Sequence, residues 1–81
     1  MTDEERRDRR IKFLVALAED LERNTALMGY PEETGEKLGY SSNEIREYVD
    51  YWVSLGRLNR ATDMGMVSIT GQAIVDVRAF E

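Results

Sequence analysis

The chain has 81 residues, with eleven lysines and arginines against sixteen aspartates and glutamates, a formal net charge of −5. It contains no cysteine and no histidine, which excludes disulfides, zinc-finger sites, Ser-His-Asp and Cys-His triads and a side-chain proton shuttle at neutral pH. Any catalysis would fall to carboxylates, lysine, serine or tyrosine, and a chain of this size forms one domain whose core only just offsets the entropy lost on folding.

Thr2 and Glu5 stand at capping-box spacing, and Asp3, Glu4 and Glu5 complement the positive end of a helix that runs on to about Arg23. Ile11, Leu14, Val15, Ala18 and Leu21 form its apolar stripe, with Leu17 widening the edge and Phe13 pointing away. Residues 1–10 carry no apolar side chain beyond Met1 and read as a charged, solvated extension. Acid-to-base pairs such as Asp3 with Arg7, Glu5 with Arg9 and Asp8 with Lys12 would support it. The domain proper is expected over residues 11–81.

Asn24 and Thr25 end this helix, and Leu27 and Met28 pack beneath the loop that follows. Pro31 suits the first position of a two-turn helix, Thr34, Gly35 and Leu38 face inward, and Gly39 provides a left-handed stop. Ser41 then caps a third helix over residues 42–55, with Glu44 as its reciprocal partner. At ~100° per residue, Ile45, Tyr48, Val49, Trp52 and Val53 share its buried face, and Asn43, Glu47, Asp50 and Ser54 its exposed one. Gly56 ends that helix. Residues 58–61 and 66–69 are short strands joined by a tight turn over 62–65. Thr70 caps a closing helix with Ala73, Ile74, Val77 and Phe80 inward.

The order helix, helix, helix, hairpin, helix resembles the winged-helix (winged helix-turn-helix) superfamily. Gly35-Glu36-Lys37-Leu38-Gly39 is similar to the family's small-x-x-Leu-Gly segment. Residues 53–58 resemble its helix end leading into the wing, and 67–70 its second wing strand. Two departures stand out: Ala73 replaces a frequent glycine, and the wing turn is shorter and less basic. The expected fold class is therefore mainly α with a small β-hairpin (α+β), a three-helix core plus wing and C-terminal helix.

The resemblance places the 42–55 helix where a recognition helix would enter a DNA major groove, with Asn43, Arg46, Arg57 and Arg60 as candidate DNA contacts. Between residues 24 and 55, however, Glu32, Glu33, Glu36, Glu44, Glu47 and Asp50 face only Lys37 and Arg46, the wrong sign for a phosphate backbone. Phe13 and Leu17 on the first helix and Val75 and Ala79 on the last offer instead a candidate protein interface. The favoured expectation is a non-catalytic protein-interaction or self-association module with a regulatory role, bound to a protein partner or to a second copy. The alternative is a DNA-binding transcriptional regulator.

No catalytic, cofactor or metal residues are expected. Glu32, Glu33 and Glu36 read as solvated helix-start acids, Glu44 and Glu47 lack a third ligand, and Tyr48 and Trp52 lie on the core face, leaving Tyr51 at the surface. No membrane segment and no small-molecule substrate are evident, and a cytoplasmic location is expected.

Overall fold

The computed structural model describes residues 2–23, 28–60 and 65–70. Among them the chain forms α1 (Asp3–Arg23), α2 (Pro31–Lys37), α3 (Ser42–Ser54), β1 (Leu58–Arg60) and β2 (Val67–Ile69). The architecture is mainly helical with a two-stranded antiparallel hairpin, as expected of the α+β class. The closing helix expected over Ala73, Val75 and Ala79 and most of the expected hairpin turn lie outside the described residues.

Local chemistry sets the helix boundaries. The Glu5 amide donates to Thr2 Oγ1 at 3.1 Å and the Glu44 amide to Ser41 Oγ at 3.2 Å, so both hydroxyls cap their helix starts, and the Ser41 amide returns a bond to Glu44 to close the box there. Pro31 opens α2, where no N–H is needed. Both α2 and α3 end in the same six-to-one closure: the Tyr40 amide donates to the Gly35 carbonyl at 2.9 Å, and the Arg57 amide to the Trp52 carbonyl at 2.9 Å. Gly39, at φ +79°, supplies the left-handed residue the first closure requires.

The core is built from Phe13, Leu14, Leu17 and Leu21 of α1, Tyr40, Ile45, Tyr48, Val49 and Trp52 from α3 and its approach, and Leu58 and Val67 of the hairpin. The predicted α3 face is the observed one, with Val53 half-buried at its edge. Helix α2 crosses α3 closely at Gly35, where an added Cβ would lie 2.3 Å from Ile45 Cγ1. A side chain there would have to displace a core residue, which explains the small residue in that motif.

The α1 face differs from expectation. Phe13 is fully buried and Leu17 is 1 % exposed, while Ile11, Val15 and Ala18 are only partly buried around them. The inward stripe is thus rotated toward Phe13. Residues 11–18 are apolar on most sides, so their periodicity alone does not select one face. Helix α1 runs unbroken through Arg10, Arg9 is part-buried against α3, and the Arg10 carbonyl accepts from Trp52 Nε1 at 3.1 Å.

β1 and β2 pair in the register Leu58↔Ile69, Asn59↔Ser68, Arg60↔Val67. A further bridge joins Gly29 to Val67 through two amide-to-carbonyl bonds of 2.9 Å, so the segment entering α2 lines the other edge of β2. Thr70 closes the base of the hairpin, its amide donating to the Arg57 carbonyl at 3.2 Å and its hydroxyl to the Gly56 carbonyl at 2.9 Å. Among the described residues no helix is long and apolar enough to cross a membrane.

Candidate functional site

Three acids spaced along α3, Glu44, Glu47 and Asp50, each meet an arginine from another element. Arg9 of α1 grips Glu44 through Nε and through Nη2, the latter at 2.7 Å. Arg6 of α1 stands 3.7 Å from Glu47, and Arg60 of β1 pairs with Asp50. The pairing of Glu5 with Arg9 expected along α1 gives way to this cross-element contact. A planar guanidinium satisfies both carboxylate oxygens of Glu44 at once, where an exposed i,i+4 pair is worth only ~0.3–0.5 kcal/mol.

Glu44 is the centre of a part-buried polar cluster. Besides Arg9 it accepts the Tyr48 hydroxyl, and the Ser41 backbone amide completes its capping role. The Arg9 hydrogen bond above all holds the carboxyl below its usual range, against the opposing effect of burial. Burial first, and then the Glu44 hydrogen bond, pushes the Tyr48 hydroxyl up to about 12. Tyr40 is raised by burial as well; its ring lies edge-on to Tyr48 with centroids 5.8 Å apart, and Arg9 sits 4.1 Å over it. A tyrosine used as a general base or nucleophile needs its proton loosened; here both are tightened. The cluster therefore works as a clamp between α1 and α3.

The candidate DNA contacts separate into two groups. Arg46 and Arg60 come together along a groove of about 210 Å³ that Tyr30, Pro31, Glu32, Ile45, Val49 and Gly65 also line. Asn43 is exposed on the first turn of α3 outside that groove. Arg57 lies at the far end of the hairpin, where its Nη1 donates to the Leu55 carbonyl at 2.8 Å. Arg57 precedes β1 and does not line the groove that Arg46 and Arg60 share. Arg46 makes no ion pair with a described residue.

The candidate protein interface loses its α1 half, since Phe13 and Leu17 belong to the core. Val75 and Ala79 lie outside the described residues. The large apolar side chains that the structure exposes are Met28, Tyr30, Tyr51 and Leu55, of which only Tyr51 was expected at the surface. Tyr51 stacks beneath Arg10 at 4.2 Å and meets Trp52 edge-on. Tyr30 was legible only as the residue ahead of Pro31; nothing local distinguishes an aromatic that packs down from one that walls a groove. No group of three or more metal-ligating side chains occurs among the described residues. Comparison of the chain with family models, with curated proteins and with solved structures returns no match.

Proposed function

We propose that this chain is a winged-helix domain acting as a non-catalytic protein-interaction module with a regulatory role, with α3 in the recognition-helix position and the β1–β2 hairpin as the wing. The fold reading is supported by the close α2–α3 crossing at Gly35, the Gly39 turn and the hairpin register that follows α3. One observation carries the functional reading: the outward acids of α3 are matched by arginines of α1 and β1 and Arg46 shares its groove with Glu32, so these charges offer no net positive field to a phosphate backbone. Phe13 and Leu17, being in the core, serve neither a partner protein nor a second copy.

The second reading, a DNA-binding regulator, is favoured by Arg46 alone, which stands exposed on α3 without an ionic partner among the described residues. Sedimentation equilibrium with mixed-sequence duplex DNA, at low and at physiological salt, separates the two. The expected result is a protein mass unchanged by DNA at either salt. Salt-sensitive co-sedimentation that Arg46→Ala weakens would establish the DNA reading in its place.

A further inference from the structure

The groove shared by Arg46 and Arg60 has a chemistry of its own. Its base is apolar, formed by the buried Pro31, Ile45 and Val49, with the half-exposed Tyr30 as a wall. Its volume of about 210 Å³ suits one or two side chains; pockets for whole small molecules usually reach ~300–1,000 Å³. Gly65 puts no side chain across the mouth, and a Cβ built there would touch nothing within 4 Å.

Charge is distributed unevenly around this apolar base. Arg46 from α3 and Arg60 from β1 bring two guanidinium groups to the groove, and Glu32 from α2 brings one acid. Arg46 makes no ion pair with a described residue, and the Arg60–Asp50 pair is exposed on both sides, so exchanging Asp50 for an incoming carboxylate costs little. Guanidinium groups recognise carboxylates bidentately, and an apolar cleft beside them takes a neighbouring aliphatic or aromatic side chain.

A nucleic acid would fit this surface poorly. Its regularly spaced phosphates would run past Glu32 in the groove and Asp50, the partner of Arg60. A peptide can place a single carboxylate at the arginines and uncharged groups elsewhere. We infer that the groove between α2, α3 and the hairpin docks an extended segment of a partner protein that carries one carboxylate beside an apolar side chain. An apolar side chain rests on Ile45, Val49 and Tyr30, and its adjacent carboxylate is held by Arg46 and Arg60. This rests on the protein-interaction reading and adds to it the surface and the partner chemistry.

The test is an amide chemical-shift titration of the full chain with an acetylated, amidated hexapeptide that carries one glutamate next to one leucine among serines. A matching leucine–lysine peptide and a mixed-sequence DNA duplex are the comparisons, all at physiological salt. Saturable shifts at Tyr30, Arg46, Val49 and Arg60 with the glutamate peptide, and none with the lysine peptide, are expected. Arg46→Ala and Arg60→Ala, both at exposed positions that leave the core intact, should each weaken binding roughly tenfold. Equal binding of the lysine peptide, no saturable shift, or shifts confined to Tyr51 and Leu55 would remove the groove assignment while leaving the protein-interaction reading standing. Salt-sensitive shifts of the same amides by DNA alone would remove both.

Discussion

Glu44 joins three parts of the molecule through one carboxylate: the start of its own helix at Ser41, the Arg9 guanidinium of α1 and the Tyr48 hydroxyl one turn on. Its folded-state pKa is lowered from the ordinary 4.5, so its contribution to stability is full above about pH 4.5 and is lost as pH falls through the lowered value. Tyr48 behaves in the opposite sense. Its pKa rises from 10.0 to about 12, so the stability it contributes is full below pH 10 and is lost as pH climbs from 10 toward 12. The clamp is therefore intact across the neutral range and fails at both ends. Tyr48→Phe, which keeps the buried ring and removes a hydrogen bond to a charged acceptor, should cost about 2 kcal/mol in urea denaturation at pH 7. It should also flatten the alkaline loss between pH 10 and 12, leaving the smaller part due to Tyr40. An alkaline profile identical to that of the unsubstituted protein would mean that the Tyr48 hydroxyl is not held as described.

At the scale of elements, α1 shows how far its sequence could be read. The Thr2–Glu5 and Ser41–Glu44 cap bonds were legible because donor and acceptor lie three residues apart on one chain segment. The choice of partner for Arg9 was not, because Glu5 is four residues away in sequence while Glu44, 35 residues away, is brought near only by folding. The apolar stripe was ambiguous for the same reason: Phe13 and Val15 both lie in a stretch that is greasy on most sides, and the position of α3 decides that Phe13 is buried. A direct consequence concerns the charged start of α1. Arg7→Ala should change stability by no more than about 0.5 kcal/mol, as for an ordinary exposed surface site. Arg9→Ala should lower the urea midpoint clearly, because it leaves the part-buried Glu44 short of its main partner. Equal midpoints for the two variants would return Arg9 to the solvated extension.

On the scale of the whole molecule, Val67 ties together segments that the chain keeps far apart. Its amide and carbonyl both bond Gly29, ahead of α2, while its strand pairs with β1, and its side chain is 1 % exposed in the core beside α1 and α3 residues. Such an amide opens only when the domain unfolds. Hydrogen exchange at Val67 should therefore be as slow as at Val49 in the middle of α3; exchange as fast as at Arg7 would show that the hairpin opens separately. The sequence by itself determined the helix starts and stops, the buried face of α3, the small residue at the α2–α3 crossing and the hairpin, because capping, periodicity and turn chemistry act within a few residues. Only the tertiary structure decided the inward face of α1, the pairing of the α3 acids with distant arginines, the bridge from Gly29 and the meeting of Arg46 with Arg60 over an apolar groove. Those depend on which surfaces are pressed together once the core closes, and burial and long-range charge pairing leave no mark at short spacing along the chain.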